Sequence, residues 1–313
     1  MCTYPATNRN YLELMCFVVF TIVFVMRCVP SILQPILVWL LPQKWALSRC
    51  WRTLQQGIVP EINRRKQKST FAVSPDVSVS PDVISWMIAD GESELERDPK
   101  SLSQLIGALT AGATYSTASL VAGVIADLTA RPELMKEVRK EIQAKHEEVG
   151  GKWDERAFNG LHKLDSVMKE TSRLAPSSIV VYSRHMVADH TLSNGLTLKK
   201  GQRITVAPHF KSMSPEFFEN PDQHKGLRHC NSEPFRKVDS TLLTWGSGRW
   251  ACPGRFLANS IAKIMLVKLL DEYEFKFTDG KRPPNVAMHE FVLFYPFSKM
   301  LVRRRQECLE IQH

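Results

Sequence analysis

The sequence predicts a mainly α-helical fold with a minor β part. Helix-like patterns fill the first half of the chain, most clearly over residues 101–130 and 161–174. Short alternating segments follow at 178–187 and 192–206, and one further helix begins near Arg255. Because the helices precede the strands and do not alternate with them, this order excludes a wound βαβ architecture.

Composition narrows the class of protein. A length of 313 residues suits one large domain or two small ones. Hydrophobic residues at 44% and charged residues at 23% exclude a disordered, collagenous or coiled-coil protein. The net charge of +9 comes without a strong basic run or a basic-aromatic alternation, so no nucleic-acid partner is expected. An acidic partner or an anionic membrane surface fits this charge.

The N-terminal segment 1–27 contains an apolar run over residues 14–26. A bilayer span needs about 18 to 20 apolar residues, and this run of 13 is shorter. Glu13 precedes it and no cleavage site follows, which argues against a cleavable signal. The run is interpreted either as a membrane anchor or as a buried helix or membrane-surface hairpin.

The helices are assigned from periodicity and from the residues that end them. Residues 44–68 form a polar, basic helix, and the Ser-Pro-Asp repeats within 69–81 predict a loop. Asp82 is suited to cap the short helix that follows. Pro132 ends the long helix and starts a charged one, which the glycine pair at 150–151 terminates.

The β part lies in the second half of the chain. Asn194-Gly195 predicts a tight hairpin turn, and residues 291–302 are strand-like. Residues 208–244 show little periodicity and predict an irregular loop. The final helix is expected to bury an apolar face formed by Phe256, Leu257, Ile261, Ile264, Met265 and Leu269.

The segment from Trp245 to Arg255 carries the chemistry. Glycines at 246, 248 and 254 allow its backbone to approach a large flat group, and the following helix N-terminus favours a thiolate on Cys252. Such a residue is a metal ligand, a nucleophile or a structural turn cysteine. No second metal ligand lies nearby in sequence, which favours one axial bond to heme iron. The seven cysteines contain no Cys-x-x-Cys, so neither a disulfide framework nor a zinc ribbon is predicted.

This segment resembles the cysteine loop of the cytochrome P450 superfamily, whose pattern is Phe-x-x-Gly-x-Arg/His-x-Cys-x-Gly. Gly248, Cys252 and Gly254 match the pattern. Trp245 stands in place of the phenylalanine. Trp250 stands in place of the Arg or His that reaches a heme propionate in the family, and an indole brings an N–H donor without a charge.

The family's Glu-x-x-Arg motif occurs four times, and at this spacing such pairs usually decorate a helix surface. Context selects Glu170 and Arg173, because a proline and a strand follow their helix. The resemblance implies that this pair is buried and joined by Arg228 in a structural charge cluster. His224 and Gly226 stand where the family has Phe and Pro.

Residues 112–117 resemble the family's oxygen-activation motif, Ala/Gly-Gly-x-Asp/Glu-Thr-Thr. The resemblance places Ser116 and Thr117 as proton-relaying hydroxyls and Tyr115 at the position of the acid. The alternative is a helix–helix contact made by small residues.

Two arginines are implied contacts of the heme propionates. Arg184 lies where the family has a strand arginine, although a plain surface charge is the alternative, and Arg249 adjoins the substituted Trp250. Residues 178–180 and 294–297 are expected to border the substrate.

The resemblance covers about residues 28–305 and implies that 28–313 is the C-terminal portion of the cytochrome P450 fold, with the N-terminal part lacking. Under this alignment residues 11–27 form a channel-roof helix. The implied function is a heme-dependent monooxygenase that hydroxylates an apolar small molecule with dioxygen, the substrate being a terpenoid-type fungal metabolite. Its electrons would come from NADPH-cytochrome P450 reductase, at the endoplasmic reticulum membrane. The alternatives are a truncated, non-catalytic remnant with weak or no heme binding, and a membrane-anchored interaction module.

Overall fold

The computed structural model divides the chain into two compact units, Met1–Tyr115 and Ser116–His313. Most of the apolar run at 14–26 and residues 295–297 of the expected substrate border lie outside the described residues, although 22–27 are helical. The described residues are 22–30, 32–71, 82–288, 290–294, 298–309 and 311.

The first unit is helical throughout its described part. Asp82 caps α3 as predicted, because its carboxylate accepts a hydrogen bond from the Ser85 backbone N–H at 2.9 Å. Arg65 of α2 also pairs with Asp82, which joins these two helices. The helices are α1 (Gln34–Leu40), α2 (Pro42–Phe71), α3 (Val83–Ala89), α4 (Glu94–Arg97) and the start of α5 (Pro99–Thr129).

Helices α2 and α5 approach closely at Gly107. A Cβ atom at this position would lie 2.5 Å from the Trp51 ring and 2.5 Å from a Leu54 methyl group. Glycine at this position therefore permits the close approach of the two helices. The same two helices also bury Ile62 and Leu102.

The second unit is built around buried faces of α5, α6, α8 and α10. Its core includes Val124 and Leu128 of α5, Val138 of α6, Leu164 of α8 and Leu266 of α10, each 0% exposed. The helices of this unit, after the end of α5, are α6 (Pro132–Glu148), α7 (Glu155–Asn159), α8 (His162–Leu174), α9 (Pro208–Ser212) and α10 (Arg255–Glu272). The loop prediction missed α9, which begins at a proline in the first helical position.

All strand pairs of the described chain are antiparallel and two-stranded. The predicted Asn194-Gly195 turn joins β2 to β3, with Gly195 at φ +85°. The pairs are β1 (Val181–His185) with β4 (Arg203–Val206), β2 (His190–Thr191) with β3 (Thr197–Leu198), β5 (Tyr273–Phe277) with β8 (Met300–Arg304), and β6 (Asn285–Met288) with β7 (Phe291–Phe294).

The predicted apolar face of α10 is wrong. Leu257 is 60% exposed and Phe256, Ile261 and Met265 are also exposed, while Ile264 and Leu269 pack partly against the core. The buried face instead contains Ala262, Lys263, Leu266, Val267 and Leu270. Apolar residues occur on every side of α10, so their spacing along the sequence does not indicate which side is buried. Lys263 enters the core because Asp165 neutralises it at 2.9 Å.

Helix α5 is also long and apolar enough, by length and composition, to cross a membrane, and it is the single such helix in the described part of the chain. Its C-terminal half nevertheless contributes Val124 and Leu128 to the core of the second unit. A buried core helix needs the same apolar composition, so composition alone does not make α5 a membrane span.

Asp127 of α5 is a buried centre of polar contacts. Its carboxylate accepts hydrogen bonds from Thr171 Oγ1 at 2.9 Å and Arg282 Nε at 2.6 Å, and Arg131 Nη1 lies 3.5 Å away. His224 Nε2 lies 3.5 Å from the same carboxylate, yet neither ring nitrogen has a hydrogen-bond partner among the described residues. Burial lowers the pKa of His224, and the nearby Asp127 charge opposes this effect only in part.

We expect His224→Phe to protect the protein from acid. In the unfolded chain this histidine is protonated below about pH 6.5, whereas burial in the folded protein disfavours its protonated form. The free energy of unfolding therefore decreases as pH falls below this value, by up to about 1.4 kcal/mol per pH unit. The variant should raise the urea midpoint at pH 5 more than at pH 7.5. The exposed His190→Phe serves as control, and equal pH dependence of the two variants would contradict the assignment.

Candidate functional site

Hydrogen bonds close the cysteine loop around Cys252. The Cys252 backbone N–H donates to the Trp245 carbonyl at 2.7 Å, and Arg255 Nη1 donates to the Cys252 carbonyl at 2.9 Å. Gly246 and Gly248 lie at φ +75° and +59°, where a side chain would be strained. Two of the three glycines predicted for this loop therefore serve its left-handed turns, whereas Gly254 has an ordinary φ of −79°.

Aromatic residues pack against the cysteine loop. The Trp245 indole N–H donates to the Phe235 carbonyl, and the two rings lie 5.0 Å apart at 61°. Gly246 admits Tyr182 of β1, because a Cβ atom there would lie 2.8 Å from the Tyr182 hydroxyl. This hydroxyl is buried without a hydrogen-bond partner in the described chain.

A small cleft beside the cysteine loop has a volume of about 60 Å³. It brings Ser116 and Thr117 of α5 together with Trp245 of the loop and Ala258 of α10. Tyr115 precedes them on the same helix but is not among the residues that line this cleft. The remaining lining residues are Ser119, Leu120, Ser172, Ala175, Ser177, Phe235 and Thr244.

The structure brings Glu170, Arg173 and Arg228 into one cluster. Arg173 binds both carboxylate oxygens of Glu170 at 2.9 Å, and both side chains are 0% exposed. Arg228 Nε reaches Glu170 at 3.2 Å. Arg173 also donates to the carbonyls of Ser212 and Pro221, at 2.8 and 2.6 Å. The cluster therefore ties α8 to the irregular segment before the cysteine.

His229 belongs to this cluster and sequence analysis missed it. Its Nε2 lies 3.1 Å from Glu170, and the only signal was its position beside Arg228. Burial alone would raise the pKa of Glu170. Hydrogen bonds from Arg173, His229 and the Lys225 backbone reverse this and hold the pKa well below its usual range.

Arg184 and Arg249 meet at one aromatic ring. The Arg184 guanidinium carbon lies 5.3 Å from the centre of the Trp250 ring, and that of Arg249 lies 4.9 Å from it. Neither arginine has a carboxylate partner within the described ranges. The two residues predicted as anion contacts thus both lie near the Trp250 ring, without a carboxylate partner in the described part of the chain.

The remaining predicted positions are placed as follows. A Cβ atom at Gly254 would lie 4.0 Å from the Cys252 sulfur, which is an ordinary van der Waals distance. Ser178 donates to the Val180 carbonyl at 2.6 Å, whereas its neighbour Ser177 lines the cleft. Phe294 lies at the end of β7, 5.8 Å from the Arg282 guanidinium.

The family model for cytochrome P450 matches residues 8–301. The chain belongs to the cytochrome P450 family. A cytochrome P450 monooxygenase of Emericella nidulans is 32% identical over 297 residues, covering 92% of this chain and 55% of the relative. An ent-kaurene oxidase of Gibberella intermedia is 30% identical over 295 residues, covering 90% and 54%. The chain spans about half the length of these curated relatives.

A crystal structure of a cytochrome P450 superposes with a TM-score of 0.69 at 19% identity, covering 88% of this chain and 60% of the other. At this identity the likeness shows the fold alone. The mainly α fold with a minor β part is confirmed as that of a cytochrome P450.

Membership of the family implies heme held by a cysteine thiolate, and the residues of the site fit this group. The described residues offer no cluster of three or more His, Cys, Asp or Glu that could hold a bare metal ion. Cys252 offers one sulfur on a loop, as an axial ligand requires. Arg184 and Arg249 are cations without a carboxylate partner among the described residues, and the buried Tyr182 hydroxyl has no hydrogen-bond partner there, so these groups are compatible with an anionic ligand.

We expect Arg173→Ala to destabilise the protein by about 3–5 kcal/mol, because it leaves Glu170 charged, buried and unpaired. The free energy of unfolding of Arg173→Lys should lie between those of Arg173→Ala and the wild type, since an ammonium cannot bind both carboxylate oxygens. Urea unfolding followed by circular dichroism measures both.

The chain contains a matched control in the same motif. Arg64 pairs with Glu61 at the same spacing but is 54% exposed, so Arg64→Ala should shift the midpoint little. A small effect of Arg173→Ala, comparable to that of the control, would contradict the structural role of the cluster.

Proposed function

We propose that this chain carries the heme-thiolate centre of a monooxygenase that hydroxylates an apolar small molecule. The observation that carries the proposal is the cleft where Ser116, Thr117 and Trp245 meet beside the Cys252 loop. In this proposal Cys252 is the axial ligand of heme. When bound, heme supplies the activation of dioxygen, and the thiolate donates electron density to it.

The chain's own residues have separate roles in this proposal. The hydroxyls of Ser116 and Thr117 hold and pass protons at the cleft, with Tyr115 behind them on the helix. Arg184 and Arg249 bind the heme carboxylates, and Trp245 shields the sulfur side of the loop. Glu170, Arg173 and Arg228 touch none of the reacting atoms and hold the frame rigid.

The substrate is proposed to be terpenoid. Three of the relatives are named ent-kaurene oxidase, each at 30% identity. This supports a polycyclic or terpenoid hydrocarbon as substrate class by analogy. The electrons are proposed to come from NADPH-cytochrome P450 reductase.

We further propose that the first unit contacts a membrane surface, in the endoplasmic reticulum. Helix α1 and the two residues before it expose an apolar patch, defined here as Ile32, Leu33, Ile36, Trp39 and Leu40, whose side chains are 50–80% exposed. A patch of this size and composition is typical of an interaction site.

The neighbouring residues suit the boundary between lipid and water. The Trp39 and Trp45 rings meet edge to face at 5.3 Å, and the Lys44 ammonium lies 3.9 Å from the Trp39 ring centre. Tryptophan and lysine favour this boundary, and the exposed Arg49 and Arg52 that follow would face anionic headgroups.

Carbon monoxide difference spectroscopy tests the enzyme proposal. The reduced chain, reconstituted with hemin, should show the red-shifted band for which the family is named, because that band reports a thiolate ligand. Cys252→Ser should abolish it, whereas Cys230→Ser, at a free cysteine outside the loop, should leave it unchanged. Absence of heme, or only the blue-shifted inactive band, would favour the non-catalytic remnant.

Vesicle sedimentation tests the membrane proposal. The double variant Ile36→Asp with Leu40→Asp should weaken binding to vesicles containing anionic lipid at least about tenfold, since it places two charges in the apolar patch. Leu301→Asp, at an equally exposed apolar position of β8, is the control. Unchanged binding of the double variant would favour the apolar run at 14–26 as the membrane element.

A further inference from the structure

Two arginine side chains lie near the Trp250 ring. Arg184 and Arg249 both lie within the distance of about 6 Å at which a guanidinium is attracted to an aromatic face. The indole itself is 64% exposed, so burial does not force this arrangement. Two like charges at one ring repel each other, and an anion placed between them would remove that repulsion.

Some arginines of the second unit pair with carboxylates, whereas others, such as Arg203 and Arg255, have no carboxylate partner within the described chain. Arg173 pairs with Glu170, Arg282 pairs with Asp127, and Arg139 pairs with Glu274 at 2.9 Å. The side chain of Arg184 donates a hydrogen bond to the carbonyl of its neighbour Ser183 at 2.9 Å. Arg184 and Arg249 therefore lie at the ring without a protein anion among the described residues.

Strand β1 is irregular directly before Arg184. The pairing of β1 with β4 shifts between Val181 and Arg184, which is the mark of a bulge. Tyr182, inside the bulge, has φ +54°, a conformation that strains a bulky side chain. Bulges redirect side chains beside functional sites, and here the bulge sends Tyr182 against Gly246 of the cysteine loop.

Stacking on a ring face leaves the edge of a guanidinium free. Its N–H groups lie in its own plane and bind a carboxylate in a bidentate manner. A charged residue at position 250 would itself bind the anion. The uncharged indole supplies instead a surface that fixes the direction of both neighbours.

We propose that Trp250 is a positioning residue that holds Arg184 and Arg249 as a clamp for the paired carboxylates of heme. This inference rests on the proposed heme site. It assigns the carboxylate contact to two arginines aligned by one ring, and it gives a role to the position where the chain departs from the family's pattern.

The test compares hemin with hemin dimethyl ester, whose carboxylates are masked. The full chain is titrated with each compound, and absorbance gives the two dissociation constants. The wild type should bind hemin at least about tenfold more tightly than the ester. Trp250→Ala should reduce this ratio below about threefold by weakening hemin alone, as should Arg184→Ala with Arg249→Ala.

Two further variants make the comparison specific. Trp250→Phe keeps an aromatic face and should retain most of the ratio. Arg203→Ala removes an exposed cation from the paired strand β4, away from the Trp250 ring, and should leave the ratio at the wild-type value. Circular dichroism confirms that each variant is folded.

The outcomes separate this inference from the proposed function. If the wild type binds neither compound, the proposed heme site fails and the clamp fails with it. If the wild type binds both compounds equally, or Trp250→Ala weakens both to the same extent, the heme site stands and the clamp is overturned.

Discussion

Helix α8 brings four charged side chains into the core, and their need for partners organises the second unit. Asp165, Lys169, Glu170 and Arg173 are each at most 4% exposed. A buried charge without a partner costs several kcal/mol, so the surrounding chain must supply counter-charges and carbonyls. The segment after α9 supplies them. It has little regular structure of its own, and the charges of α8 hold it in place.

The same helix fixes both sides of the cysteine loop. Asp165 accepts a hydrogen bond from the Phe235 backbone N–H at 3.3 Å, and the Phe235 carbonyl then accepts one from Trp245. Asp165 also pairs with Lys263 of α10 at 2.9 Å. Cys252 lies between Trp245 and α10, so a single carboxylate on α8 anchors the chain before and after the sulfur. A thiolate ligand needs this rigidity, because an axial bond depends on a fixed sulfur position.

Two kinds of charge in the second unit differ in their partners. Those of α8 and Asp127 are buried and paired within the protein, and they hold the frame together. Those at Trp250 are exposed and lack protein anions within the described chain, so they are available to a ligand. The heme implied by the family carries the carboxylates that would complement the second kind. This difference follows from the cost of burying a charge, because only an exposed cation can remain without a protein partner at little cost in free energy.

The sequence by itself determined α2, α3, α5, α6, α8 and α10, the turn at Asn194-Gly195, the cysteine loop and the family, because each depends on local signals such as period, proline, glycine and motif spacing. Context also selected Glu170 and Arg173 among four similar pairs. Only the tertiary structure decided which face of α10 is buried, since that helix is apolar all round and Lys263 enters the core to meet Asp165. The addition of His229 to the charge cluster and the meeting of Arg184 and Arg249 at Trp250 likewise depend on distant segments. Contacts between such segments arise from packing and charge pairing across the fold, and no local pattern in the chain encodes them.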